Sequence, residues 1–321
     1  MYRIFNQLLE SSISLPELPR VPDAEPDFSF RLKTCSPGGG NDWNHVHDWK
    51  LPDGTITISC ARRGEDYVLR FPRIADFQIS SRGRAITCFP ESKTDETTIR
   101  HLLIDQVIPR VVGHRGKLVL HASAVAFGDG SAAAFLGDTG WGKSTLASGF
   151  QQQGACMVTD DCLVLQIFES RVSGIPAYRG LRLWPDSIAE LFHGASKQSR
   201  LAQYGNKQRV KLQDGTPSTG EGPVELTALF LLSDPDDARQ GDRVTIEEVS
   251  GHDALMALIA CLFTIDVLDD TRVGSNFFEC GKVINTRIPV YRLDYPRDHA
   301  KLATVYRAVL DRLERVPARC A

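Results

Sequence analysis

The chain has no Cys-x-x-Cys pair, no internal repeat and no uncharged apolar stretch long enough to cross a bilayer, although it runs to 321 residues. Each absence removes a class of protein. Eight cysteines stand at positions 35, 60, 88, 156, 162, 261, 280 and 320, and only Cys156 and Cys162 are close neighbours. Disulfide scaffolds belong to much shorter chains, so these read as mostly buried or incidental thiols in a reducing compartment. The longest apolar run, Ala254 to Ile265, is about 12 residues against the roughly 20 that a membrane helix needs. It is flanked by His252, Asp253 and Asp266 and reads as a buried helix. The first residues, MYRIFNQLLESS, lack the apolar core of a secretory signal, and the expectation is a cytoplasmic protein. A formal charge of -3 gives no general attraction to nucleic acid or acidic membrane, so neither nucleic-acid binding nor membrane insertion is expected. What is there, 42% hydrophobic and 24% charged residues, is the composition of a folded chain.

Three stretches follow from the patterning. Residues 1–27 are Pro-rich and acidic toward their end and read as an irregular lead-in. Residues 28–92 read as a small antiparallel β-rich domain: Asp53-Gly54 precedes the β-branched run Thr55 to Ser59, and Tyr67–Phe71 and Ala75–Ile79 repeat the strand pattern before a turn at Ser81 to Gly83. A loop holding Gly38, Gly39, Gly40, Trp43, His45, His47 and Trp49 lacks enough ligands to predict a metal site. Residues 93–321 read as an α/β domain. Ile99, Leu102, Leu103, Gln106 and Val107 share a helical face over Thr97–Val107, with Pro109 fitting the helix end. Further strands are expected at Lys117–Phe127, Ser131–Leu136, Cys156–Val158, Val224–Leu232, Val244–Val249 and Ile288–Leu293. Helices are expected at Lys143 to about Gln153, Ala254–Val267 and His299–Leu313. The polar segment Ser196–Gly222 reads as a mobile loop or linker, and Asp234–Asp242 as a polar loop.

The most specific pattern is Gly137-Asp138-Thr139-Gly140-Trp141-Gly142-Lys143-Ser144, a glycine, four residues, then Gly-Lys-Ser. It lies between an apolar strand and a helix-like segment, where successive backbone N–H groups can curl around phosphate oxygens. Lys143 would neutralise the outer phosphates of ATP, and Ser144 would ligate Mg2+. Asp160 and Asp161 end a short apolar strand one helix later, where an αβ crossover would return beside the first strand. One carboxylate could hold the metal while the other orients or deprotonates a hydroxyl, a division suited to a kinase. His121 lies in a strand leading toward the loop, where a packing or hydrogen-bonding role is the commoner explanation and chemistry the rarer one. Arg179 and Arg182 could clamp phosphate oxygens or an acidic substrate.

The runs Leu120 to Val125, Phe135 to Thr145 and Gly154 to Asp161 resemble the catalytic domain of bacterial HPr kinase/phosphorylase. They are more similar to the diverged HPr-kinase-like proteins found beside ribosomally made peptides, including the lasso-peptide kinases. That resemblance implies a P-loop kinase core of the HPr kinase / phosphoenolpyruvate carboxykinase type, with ATP and Mg2+ as cofactors. It implies nucleotide contacts along Gly137 to Thr145, Asp160 as base for a serine hydroxyl, and Asp161 with Ser144 at the metal. It places His121 in the catalytic surroundings, with Lys143, and matches Arg179-Gly180 to an Arg-Gly pair. The implied substrate is a serine in a peptide or small protein, such as a lasso or other ribosomally made precursor, with homo-oligomerisation left open. Ala122 replaces the glycine of the HPr enzymes, and Pro289 to Arg292 departs from their arginine-bearing loop. A small-molecule kinase, or a nucleotide-gated binding or assembly protein with ATPase activity, are the alternative readings.

Overall fold

The computed structural model describes residues 1–33, 43–51, 53–176, 181–183, 185, 187–188, 198–200, 202, 208–210, 222–236 and 243–316. It is an α/β fold with mixed sheets in two compact units. One unit is built mainly from Met1–Val119 and Phe263–Asn276, and the other from most of the remainder.

The first unit carries an eight-stranded sheet made of β1 (Tyr2–Ile4), β2 (Gln7–Ser11), β3 (Phe28–Leu32), β4 (Asn44–Lys50), β5 (Ile56–Arg63), β6 (Asp66–Phe71), β7 (Ala75–Ile79) and β8 (Ala85–Pro90). Their spatial order is β1-β2-β3-β8-β7-β6-β5-β4. In β7 the side chains of Ala75, Phe77 and Ile79 are buried while Asp76 and Gln78 are half-exposed, the period-two pattern of a sheet with one covered face. Two expectations are corrected here. Residues 1–27 are not an irregular lead-in: Tyr2, Ile4 and Leu9 bury apolar side chains, and that burial outweighs the prolines that follow. Nor is the sheet wholly antiparallel, since β2–β3 and β3–β8 are parallel ladders.

The helical stretch of this unit also differs from expectation. It runs as α1 (Glu96–Leu102), a π-helical turn (Leu103–Val107) and α2 (Ile108–His114), followed by β9 (Leu118–Leu120). Pro109 therefore starts α2 instead of ending a helix; near a helix start its missing N–H costs little. The extra residue in the π turn shifts the buried face, so Asp105 is buried and Gln106 only half-buried. These helices pack on their own sheet, with Arg100 on Glu17 (3.1 Å) and Arg115 on Gln7 (2.7 Å), so the unit does not end near residue 92.

In the second unit β10 (Ala122–Ala126) and β11 (Ala132–Leu136) are buried along their whole length, as expected for central strands between covering layers. After α3 (Lys143–Gln152) come β12 (Cys156–Thr159), β13 (Leu163–Phe168), β14 (Arg171–Pro176), β15 (Leu181–Leu183), β16 (Gln198–Arg200), β17 (Gln208–Val210), β18 (Val224–Glu225), β19 (Ala228–Leu232), β20 (Thr245–Glu248) and β21 (Val290–Asp294). The main sheet has the order β12-β10-β11-β19-β21-β20. β11, β19 and β21 are parallel neighbours, and β10 and β20 run antiparallel to them. Phe135 and Phe150 meet edge to face with centroids 5.4 Å apart, anchoring α3 to the sheet strand that precedes it.

Other readings shift in detail. The expected strand 117–127 breaks at His121, and 224–232 divides between β18, which pairs with β14, and β19. The expected buried helix 254–267 is Gly251–Ala260 and buries only Ala254 and Leu258. A helix at Asp270–Asn285 was not anticipated, because Gly274 and Gly281 lower its intrinsic propensity. Within the expected loop 196–222, β16 and β17 pair antiparallel and β17 also pairs with β15. Gly38 to Gly40, residues 237–242 and the rest of 196–221 apart from Ala202 lie outside the described residues.

His114 supplies a titration test of the first unit. Its Nε2 donates to the Ser81 carbonyl (2.8 Å), and its ring meets Tyr67 edge-on at 5.2 Å. Burial holds its pKa below the ordinary 6.5, opposed by the Ser81 hydrogen bond; Arg272 lowers it further, while Asp269 and Asp266 raise it. The unfolded chain then binds the proton first, so stability is complete above 6.5 and falls as pH drops below it. The urea midpoint of the intact protein should fall between about pH 7.5 and about pH 5.5, and less so in His114→Gln. An unchanged pH profile in the variant would clear His114 of this role.

Candidate functional site

Leu136 ends β11, and the loop begins at once. Gly137 has φ +148, and a Cβ there would meet the Trp141 ring at 2.8 Å. Trp141 N–H donates to the Asp138 carbonyl (3.2 Å), closing a turn whose tip, Asp138, Thr139 and Gly140, is exposed. Gly142 takes φ +88 as the N-cap of α3, a left-handed conformation that side chains disfavour, and no side chain caps the helix there. The start of a helix concentrates N–H groups without intrahelical acceptors and the positive end of its dipole. Lys143 is 4% exposed, and its Nζ donates to the Gly137 carbonyl (2.7 Å) and the Asp138 carbonyl (2.9 Å). Ser144 and Thr145 are half-buried on the first turn, with Thr145 Oγ1 3.4 Å from Ser187 Oγ.

The paired aspartates reach the same sheet edge by a different route from the one expected. β12 does not lie beside β11, because β10 hairpins onto that edge of β11 and fills the place. Both β11 and β12 are antiparallel to β10, so both end where β10 begins. The loop after Leu136 and the pair after Thr159 therefore emerge side by side, two strand spacings or about 10 Å apart. In open α/β sheets, this carboxyl edge is where ligands sit.

β10 contributes directly. Ser123 Oγ donates to Asp160 Oδ1 at 2.7 Å, with both residues almost fully buried. Asp161 adopts φ +65, a left-handed conformation that aspartate tolerates better than most residues, and its carbonyl accepts from Ala122 N–H at 3.3 Å. Its Oδ1 lies 3.6 Å from His121 Nε2. The His121 N–H donates to the Cys261 carbonyl at 2.7 Å, which interrupts the strand and leaves the ring half-exposed beside Asp161. Thus His121, Asp160 and Asp161 are brought together, and the loop shares their edge. Arg179 lies outside the described residues; Arg182 is in β15, remote in sequence from the loop.

Sequence reasoning missed four contributors. Ser123 looked like an ordinary strand residue. The Cys261 thiol is pushed up by burial, opposed by the Gly137 N–H and the Lys143 charge, which places this cysteine against the loop. Tyr295 and Arg297 directly follow β21, and a Cβ at Gly142 would lie 3.2 Å from Tyr295 Oη and 3.6 Å from Arg297 Nη1. The rule that residues after parallel strands face the ligand edge could have found this last pair.

No protein-family model matches the chain, and no curated protein matches it. Among solved structures it is similar to the Hpr(Ser) kinase/phosphatase from Coxiella burnetii, with 12% identity and a TM-score of 0.32. The match covers 61% of this chain and 97% of that one. The likeness is distant.

The Ser123–Asp160 contact can be measured. Ser123→Ala should destabilise the protein by about 1.5–3 kcal/mol, the range for a buried hydrogen bond to a charged group. A urea double-mutant cycle with Asp160→Ala should give a coupling of about 1 kcal/mol or more, whereas additivity would mean the two side chains act independently.

Proposed function

We propose that the chain is an ATP- and Mg2+-dependent phosphotransferase that phosphorylates a serine hydroxyl of a peptide or small protein in the cytoplasm. The observation that carries the reading is the emergence of the Gly137–Ser144 loop and the Asp160–Asp161 pair at one edge of one sheet. The left-handed glycines, the lysine and the uncapped start of α3 form a cradle suited to a polyphosphate. Among the described residues no group of three or more His, Cys, Asp or Glu could hold a metal. Mg2+ needs no such cage, since one or two protein oxygens and the substrate phosphates suffice, and Ser144 with Asp161 would supply them. When bound, Mg2+ would neutralise charge on the phosphate oxygens.

In this reading Ser123 fixes Asp160, which takes the proton from the serine hydroxyl as its oxygen attacks the γ-phosphorus and ADP leaves. Lys143 and the loop amides stabilise charge on the transferring oxygens. Asp160 is 2% exposed, so the acceptor hydroxyl has to come into the sheet edge to reach it. Six described cysteines are free thiols and five of them are buried, which supports a reducing compartment. The choice of a peptide serine, including that of a lasso or other ribosomally made precursor, rests on the sequence resemblance.

Labelled ATP incubated with the protein and serine-bearing peptides should yield a stable phosphopeptide. Asp160→Asn should cut the transfer rate by about 100-fold or more while nucleotide still binds, and Asp161→Asn should raise the Mg2+ requirement. Full transfer by Asp160→Asn would remove it as base. Phosphate release with no labelled acceptor would favour a nucleotide-gated assembly protein, and labelling of metabolites alone a small-molecule kinase.

A further inference from the structure

Arg297 is held in place yet has donors left over. Its Nη2 donates to the Ser233 carbonyl, at the end of β19, and its guanidinium lies 3.9 Å above the Tyr295 ring. Its Nε and Nη1 are buried and have no hydrogen-bond partner. Buried donors are nearly always satisfied, and on a cation the omission is costly, so these two unspent nitrogens mark the place of a missing acceptor. The location is specific: Nη1 would stand 3.6 Å from a Cβ at Gly142, the residue that caps α3 and closes the loop. Tyr295 is itself buried; burial pushes its phenol up, while the Arg297 charge and the contact between the guanidinium and the phenol oxygen pull it back. No acidic side chain is within ion-pair distance of Arg297 among the described residues, although Asp234 follows Ser233.

We propose that Arg297 is a phosphate-binding residue, its Nη1 donating to an oxygen of a nucleoside di- or triphosphate seated over Gly142. The proposal rests on the phosphate-loop reading and adds to it a second cation, contributed by the segment that follows the last parallel strand. A guanidinium N–H makes a strong charge-assisted bond to a phosphate oxygen, and Ser233 and Tyr295 preset the group so that little ordering is needed on binding.

The test is displacement of a fluorescent ATP analogue by ATP, ADP and inorganic tripolyphosphate, with Lys143→Met in parallel. Arg297→Gln should weaken all three by about tenfold or more, and Arg297→Lys should recover part of the loss. If folded Arg297→Gln binds all three within about twofold of the unaltered protein while Lys143→Met does not bind, Arg297 is only a structural tie and the phosphate-loop reading survives. If the unaltered protein binds none of them, both readings fall. Should Arg297→Gln fail to fold, Arg297→Lys decides: it keeps a charge and a stem over Tyr295 but loses Nη1, and unchanged affinity overturns the proposal.

Discussion

The candidate site depends on the double pairing of β10. One edge of that strand bonds to β11, which launches the Gly-rich loop, and the other bonds to β12, which delivers the two aspartates. Its own Ser123 then ties to Asp160, and the residue just before it, His121, approaches Asp161. A strand buried along its whole length can hold such a register because a one-residue slip would exchange the faces of all its side chains. The spacing between loop and carboxylates is thus fixed by a backbone ladder and not by flexible side chains.

Around that ladder, each chemical group is positioned by something more rigid than itself. Phe150 against Phe135 holds α3 against β11. Ser233 and Tyr295, at the ends of two parallel strands, set Arg297. The π turn in the first unit serves no comparable purpose in the site; it accommodates an extra residue so that Pro109 begins a helix.

The parts legible from sequence were those whose signal is local. β7 shows alternation, and the loop shows glycines at fixed spacing from Lys143 and Ser144. The parts that were not legible depend on partners far along the chain. Nothing adjacent to Ser123 indicates that its hydroxyl meets a carboxylate 37 residues later. Tyr2, Ile4 and Leu9 look too sparse to make strands until β3 is available to receive them. The helix at Asp270–Asn285 opposes its own glycines and is sustained by buried Cys280 and Val283. Local propensity yields there to tertiary packing.

The bonds from Lys143 Nζ to the carbonyls of Gly137 and Asp138 have a consequence for selectivity. The ammonium is already solvated by the backbone, so an incoming molecule competes with two good acceptors for it. A neutral or singly charged guest has little to offer in that exchange. In the proposed function, a compact, densely charged anion is the guest able to displace the peptide oxygens, so the resting loop favours it over weaker acceptors.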